Sequence, residues 1–466
     1  MRATDRMKIE GRKALVLGAG KSGIESARFL AERGAVVALH DKKDVESWPE
    51  AARSLKTSRN VGLISGDIPS WLLDQIDLVV ISPGVPTNTV PARYIDRKDG
   101  EVIGEVELAY RFLKGRIVGI TGSNGKTTTT ALIGDLLKNA GIPTQVGGNI
   151  GTPLLSLTET STDDGWTVVE LSSFQLETIR DFRPNVGICL NVTPNHLDRY
   201  ESFHDYALAK HRIFMNQTAE DVAVLNADDE ITSSWVNGLN AHVTMFSVKR
   251  ELEEGLFLRG SELICRASGK EKVLTTRDGI FLRGLHNVEN VLAAFAAGLA
   301  CGASPESMRD TVAAFKGVEH RIEFVAEVDG VKFYNDSKAT SVDATSKALE
   351  ALSGGEGKTI LILGGRGKNA PYAPLVPLIE SSVRSLILIG EDAGNIESQL
   401  SGVAPITAAH SLEEAVRDAL AQAESGDAVL LAPACASFDM FKSFEERGEV
   451  FKRAVCDLTS IASESF

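Results

Sequence analysis

Cysteine is sparse in this sequence and never paired at short range. The five cysteines, Cys189, Cys265, Cys301, Cys435 and Cys456, are scattered and odd in number, with no C-x-x-C spacing. That argues against a disulfide framework or a zinc site. They read as buried small apolar residues in a reducing, cytoplasmic compartment. Basic tracts are missing as well. With a net charge of −14 and no Lys/Arg run to offset it, neither nucleic acid nor a membrane surface is expected as a partner, and an anionic substrate must be met by a locally positive site. Apolar runs of bilayer length are absent too: the most apolar helical segment, Val291 to Cys301, is too short to span, and Met1 to Lys8 lacks the apolar core of a signal peptide. No internal repeat, low-complexity tract or long linker interrupts the chain.

What is present is an ordinary globular composition, 43% hydrophobic and 24% charged, over 466 residues. That length exceeds one core and suggests about three domains. Apolar strand runs alternate with helical periodicity, which predicts an α/β protein built from three units in series, each with a glycine-rich strand exit. The most informative exit is Val118-Gly-Ile-Thr-Gly-Ser-Asn-Gly-Lys-Thr-Thr128. An apolar strand enters a small-residue loop that opens a helix near Thr127. The main-chain N–H groups of Gly122 to Lys126, the positive end of the helix and the charge of Lys126 together make a polyphosphate cradle. The full P-loop pattern asks for glycine where Ile120 stands, so this is a shortened form.

Upstream, Lys13 to Leu17 leads into Gly18-Ala-Gly-Lys-Ser-Gly23 and a helix, and a second strand from Val36 ends at His40-Asp41, where a dinucleotide-binding domain places its ribose ligand. Leu78 to Pro86 is a buried strand breaking into a Pro/Gly turn. Any nucleotide diphosphate, a nicotinamide cofactor included, satisfies these features. Lys114-Gly115 closes this domain, giving 1–114. Downstream of the phosphate loop, Gly147 to Gly151 is either a ligand-approaching loop or a turn. Trp166 to Glu170 ends in a carboxylate suited to Mg²⁺ beside a phosphate loop. His196 and Asp198 are candidates for metal binding or for orienting a reacting group, or else they cap a turn. By pattern Lys210, on the helix from Phe203 to Asn216, is a surface lysine. Thr244 to Phe281 reads as an irregular β segment. Asn287 and Asn290 share a helix face and either read a base edge or cap the helix. A boundary near Val318 gives domains 115–318 and 319–466. The third domain opens with a strand pair, Arg321 to Val325 and Val331 to Tyr334, and continues as a parallel α/β pattern with exits at Gly364-Gly-Arg-Gly-Lys368 and Ala432 to Asp439.

Seven motifs, in order, resemble the signature of the Mur ligases: Thr121 to Thr128, Glu170-Leu-Ser-Ser-Phe-Gln-Leu176, Asn191-Val-Thr-Pro-Asn-His-Leu-Asp-Arg-Tyr200, His286-Asn-Val-Glu-Asn290, His320-Arg321, Asn335-Asp-Ser-Lys-Ala-Thr340 and Pro433-Ala-Cys-Ala-Ser-Phe-Asp439. Within the family the combination is most similar to the D-glutamate-adding member. The resemblance implies three α/β domains: an N-terminal Rossmann-like domain that binds UDP, a central P-loop ATPase-like parallel sheet and a C-terminal Rossmann-like domain. It implies that ATP phosphorylates the carboxylate of UDP-N-acetylmuramoyl-L-alanine and that the amine of D-glutamate attacks the acyl phosphate, with ATP and two Mg²⁺ ions required. By the same resemblance Lys126 holds the phosphates, with Gly122, Ser123, Asn124, Gly125, Thr127 and Thr128 around them. Thr127 and Glu170 hold one Mg²⁺, and His196 serves a second. Lys210 matches the lysine that family members carbamylate. Asn287 and Asn290 would contact adenine, Asp336 the ribose, and Arg321 and Lys338 the phosphates, so that closure of domains completes the site. Thr340, Lys368, Ser437 and Phe444 fall on D-glutamate positions. Gly20, Ser22, Gly23, Asp41 and Ser82 would bind the UDP part, with Asn149 meeting the sugar nucleotide. A monomer is expected.

Two readings from other classes compete with this one. A nicotinamide-dependent oxidoreductase rests on Gly18 to Gly23 and Asp41 and leaves Lys126, Glu170 and Lys338 without a role. A nucleotide-sensing regulator would need the same phosphate and metal ligands without turnover. Inside the family, another Mur step or an L-glutamate-adding variant is the alternative, because Thr340, Lys368 and Ser437 suit either enantiomer.

Overall fold

The computed structural model describes residues 8–90, 94, 100–149, 151–194, 199–282, 284–352, 357–367 and 371–463. Two compact units divide between Phe315 and Lys316. Among the described residues the first unit holds two sheets and the second holds one.

The first sheet comprises β1 (Lys13–Leu17), β2 (Val36–Asp41), β3 (Val61–Ser65), β4 (Leu78–Ile81) and β5 (Glu101–Gly104), in the order β3-β2-β1-β4-β5 and parallel throughout. Successive apolar residues go to opposite faces: Val16, Leu39 and Val80 join one core, while Leu15, Leu17, Val79 and Ile81 join another. A sheet covered on both sides needs such unbroken apolar strands. The strand order reverses at β1, and at that reversal the carboxyl ends of β1 and β4 open a crevice.

The second sheet is built on β6 (Arg116–Thr121), β7 (Thr144–Gly148), β8 (Trp166–Glu170), β9 (Val186–Cys189), β10 (Val222–Asn226) and β11 (His242–Ser247), followed by β12 (Gly255–Arg259), β13 (Glu262–Ala267) and β14 (Lys270–Thr276). Its order is β14-β13-β12-β11-β10-β9-β6-β8-β7. The expected parallel sheet is present from β7 to β12, but β13 and β14 run antiparallel. The segment read as irregular β therefore resolves into a further parallel strand and a meander extending the sheet. Alternating polarity suits strands with one wet face, and short polar turns permit antiparallel return.

These two sheets are joined within the first unit by a buried carboxylate. The Glu107 side chain is fully buried, and its Oε2 accepts the N–H groups of Arg180, Asp181 and Phe182 at 2.8, 3.0 and 2.9 Å, while Oε1 accepts from Arg111 Nε at 3.1 Å. Two residues before it, Glu105 accepts the Leu155 amide at 3.0 Å. Glu107→Ala orphans the buried Phe182 amide and leaves the other two to water, so a loss of about 2–4 kcal/mol is expected. A shift of the first unit's urea transition measures it, and an unchanged midpoint contradicts the role.

The second unit's sheet comprises β15 (Glu323–Val328), β16 (Val331–Asn335), β17 (Thr359–Gly364), β18 (Val383–Ile389), β19 (Ile406–Ala408) and β20 (Ala428–Leu431), in the order β15-β16-β20-β17-β18-β19. The expected strand pair is found as β15 and β16, antiparallel, and the remaining pairings are parallel. Leu361, Leu363, Leu386 and Leu388 face one core, and Ile360, Ile362, Ile387 and Ile389 face the other. The α/β architecture with three sheets is borne out; antiparallel strands extend one edge of the central sheet and of the C-terminal one.

Candidate active site

The phosphate loop leaves the end of β6 between its neighbours β8 and β9, the place in a parallel sheet where ligands lie against strand ends. The helix it opens spans Lys126–Asn139. Gly125 has φ +81°, and a Cβ there would lie 2.3 Å from Asn290 Oδ1. Asn290 is buried. Its Oδ1 accepts the Thr129 hydroxyl at 3.2 Å and its amide donates to Asn287 Oδ1 at 3.2 Å. It thus buttresses the loop from beneath, and only glycine fits above it. The expectation that every amide from Gly122 to Lys126 points at phosphate needs correction: the Ser123 N–H donates to the Asn191 carbonyl at 2.9 Å and the Asn124 N–H to Asn191 Oδ1 at 2.8 Å. Asn191 sets the loop's shape, so the helix start and Lys126 are left as the anion-facing part. Lys126 Nζ curls onto the carbonyls of Gly122 and Ser123, at 2.8 and 3.0 Å. Thr127 is buried in the first turn, and Thr128 is half-buried beside it.

Lys210 departs most from its sequence reading. It is 2% exposed and not on the surface, because its helix, Phe203–His211, packs its side chain under the phosphate loop. Nζ donates to the Gly122 carbonyl at 2.8 Å, the same oxygen that Lys126 reaches. Burial, and then the charge of Lys126, push its amine down to about 7. Nζ also stands 4.6 Å from the centre of the Tyr206 ring, whose hydroxyl is 3.1 Å from Ser123 Oγ.

Glu170 ends β8 and is buried. Oε1 accepts the Asn149 side-chain amide at 2.9 Å, and Asn149 N–H donates to the Glu170 carbonyl at 2.8 Å. Among the described residues Oε2 is buried with no hydrogen-bond partner, which is the condition of a carboxylate oxygen made to face a cation. A hard oxygen donor beside a phosphate cradle fits Mg²⁺. His196, Asp198 and Lys368 lie outside the described residues.

In the first crevice, Gly20 caps the helix Lys21–Glu32, with Ser22 and Gly23 in its first turn. Asp41 accepts the amides of Ala19 and Lys43 at 3.0 and 3.1 Å. Partial burial pushes its carboxyl up, but those two amides and Lys43 outweigh it and hold it below the usual range. Each oxygen thus holds the loop through one amide and keeps acceptor capacity beyond it. Ser82 is buried, its Oγ 3.4 Å from the Gly18 carbonyl.

The second unit gathers its own candidates at the carboxyl ends of β16 and β20. Asp336 is buried and its amide donates to Leu431 at 2.8 Å. Burial pushes its carboxyl up to about 7 against the pull of Arg321 and Lys338. Lys338 Nζ lies 5.9 Å from the Phe444 ring centre, and Thr340 N–H donates to the Lys338 carbonyl at 2.8 Å. Ser437 is buried, and its carbonyl takes the Phe441 amide at 2.8 Å.

Against this geometry the comparisons with known proteins are decisive. The N-terminal domain of Mur ligases of the MurD-like type matches residues 12–104, the Mur ligase middle domain 120–298, and the Mur ligase glutamate ligase domain 320–435. The chain is 49% identical over 449 residues to the UDP-N-acetylmuramoylalanine–D-glutamate ligase of Solibacter usitatus, covering 96% of this chain and 98% of the relative. The chain belongs to the Mur ligase family. The correspondingly named enzyme of Acidobacterium capsulatum is 47% identical over 96% of this Mur ligase and 97% of its own length. Among solved structures, a pseudomurein peptide ligase type C from Methanothermus fervidus has TM-score 0.54 at 20% identity, over 96% of this chain and 100% of its own. The UDP-N-acetylmuramate–alanine ligase of Thermotoga maritima has TM-score 0.54 at 19% identity, over 96% and 99%. At such identities the likeness is one of fold.

In this Mur ligase sequence reasoning missed Tyr206, Asn191 and Arg447. Tyr206 sits four residues before Lys210, on the same helical face, and that spacing was the available signal. Arg447 gave none. It is 1% exposed and reaches Ser337 Oγ, Ser337 O and Cys435 O at 2.9, 2.8 and 3.2 Å.

Proposed function

We propose that this chain joins D-glutamate to UDP-N-acetylmuramoyl-L-alanine at the expense of ATP, in peptidoglycan precursor synthesis. The observation that carries this reading is the buried Lys210 amine under the phosphate loop, in a chain whose full-length relatives carry that enzyme name.

The chemistry needs no enzyme nucleophile. A carboxylate oxygen of the first substrate attacks the γ-phosphorus of ATP and ADP leaves. The amine of D-glutamate then adds to the acyl carbon, loses a proton, and the C–O bond to phosphate breaks. Catalysis is positioning and neutralisation of crowded negative charge. Lys126 and the start of its helix hold the polyphosphate; Thr127 and Glu170 would hold Mg²⁺, which screens the phosphate oxygens when bound, and His196 would serve a second ion. A Lys210 amine near pKa 7 is partly neutral at working pH, the form that would add CO₂ to give a carbamate, which would supply an anionic oxygen ligand suited to Mg²⁺. Gly20, Ser22, Gly23, Asp41, Ser82 and Asn149 are assigned to the UDP-sugar. Asn287, Asp336, Arg321 and Lys338 are assigned to the nucleotide, with Asn290 supporting the loop, and Thr340, Lys368, Ser437 and Phe444 to the amino acid.

Phosphate release with UDP-N-acetylmuramoyl-L-alanine and Mg-ATP should require D-glutamate, and a panel of amino acids should single it out. Release with L-glutamate but not D-glutamate selects the alternative enantiomer; no release with any amino acid, together with NADH binding, overturns the ligase reading.

A further inference from the structure

A line of side chains in the second unit, the half-buried Asp392 and the buried Tyr372 and Cys435, has no part in the reaction described above. Tyr372 is 2% exposed. Its hydroxyl donates to Asp392 Oδ2 at 2.6 Å and lies 3.0 Å from Cys435 Sγ, whose thiol can donate to the phenolic oxygen. Burial, then Asp392, then Cys435 push the phenol well above its ordinary range, so the hydroxyl is a permanent donor.

Each end of the line meets a different loop. Asp392 N–H donates to the Gly365 carbonyl at 2.9 Å, and the Asp392 carboxylate packs on Gly367, where a Cβ would come within 2.3 Å of Oδ2. Cys435 lies two residues before Ser437. The two loops also touch through main chain: Gly364 N–H donates to Pro433 at 2.9 Å, and Arg366 and Ala436 exchange two hydrogen bonds at 2.9 and 3.0 Å. Such a short bridge sets the register of one residue pair and leaves the flanking segments to tilt about it. A rigid ring behind the bridge, hydrogen-bonded toward both loops, removes that freedom.

We propose that Tyr372 is a positioning residue for the amino-acid substrate, holding the segment Gly364–Gly367, which leads into Lys368, at a fixed spacing from the segment that carries Ser437. This rests on the assignment of Lys368 and Ser437 to the amino acid. It goes beyond that assignment by naming the side chain that sets the spacing of the Gly364–Gly367 segment from the segment that carries Ser437.

Tyr372→Phe removes one oxygen and keeps the ring. The expected result is a KM for D-glutamate raised about 5- to 20-fold with kcat within about twofold, because binding geometry and not the chemical step is altered. The KM values for ATP and for the UDP-sugar should not move, and the melting temperature should stay within about 2 °C. Asp392→Ala should give the same substrate-selective signature, and the double variant should be no worse than the weaker single one, since the groups act as one unit. An unchanged D-glutamate KM in Tyr372→Phe overturns the inference, as does a rise shared by all three substrates. A wild-type enzyme with no D-glutamate-dependent phosphate release overturns the proposed function and this inference together, whereas a dependent wild type with an unaltered variant overturns the inference alone.

Discussion

Lys210→Ala is expected to lower kcat by about 10³-fold, the scale for removing a preorganised charge-stabilising group, and to regain part of that activity when formate or acetate is supplied. A short carboxylate can enter the space left by the side chain and stand in for the oxygens of the proposed carbamate. Activity equal to wild type removes Lys210 from the site. A second variant separates function from folding. Lys210→Met keeps the length and apolar stem but carries no charge to bury. Because the folded amine titrates near 7 and the unfolded one near 10.5, the unfolded chain binds more protons between those values. The group's contribution to stability therefore rises with pH across that window, and its penalty is complete below pH 7. In CO₂-free buffer Lys210→Met should be the more stable protein at pH 7, by on the order of 4 kcal/mol, with the gap closing towards pH 10. A methionine variant that is less stable at pH 7 contradicts the depressed pKa.

Arg447→Met is expected to destabilise the second unit by about 3–5 kcal/mol, because it leaves the acceptors on Ser337 and Cys435 unpaired in a dry environment. Among the described residues no carboxylate forms an ion pair with this arginine; burial pushes its guanidinium down to about 10 against the pull of Cys435 and Asp439, so its value lies in hydrogen bonds to main chain and a hydroxyl. Those bonds tie the segment holding Asp336 and Lys338 to the segment holding Ser437. The KM for both ATP and D-glutamate should therefore rise in whatever folded fraction survives, with a lowered first transition in thermal unfolding. Arg447→Lys should rescue little, since one ammonium cannot match the fork. Full stability and unaltered KM values in Arg447→Met defeat this account.

These two residues mark where reading the sequence stops. Lys126 and Glu170 were legible because a strand, a glycine turn and a helix start are local, and the chemistry of a phosphate cradle follows from adjacent residues. The three α/β units were legible for the same reason: apolar runs such as Ile360 to Leu363 must be strands covered on both faces. The antiparallel end of the second sheet was less so, because strand direction depends on how the chain returns and not on the strand's own residues. Lys210 has an unremarkable local pattern, and only the packing of its helix under the loop, against Gly122 and Tyr206, makes it a buried amine of altered acidity. Arg447, Asn191 and Tyr372 act across long sequence separations, on partners that no spacing rule connects. The sequence by itself determined the family, the phosphate-binding chemistry and the strand content, since each is written in neighbouring residues. The tertiary structure alone decided which polar groups lose their water, and loss of water is what gives Lys210, Arg447 and Tyr372 their altered acidity.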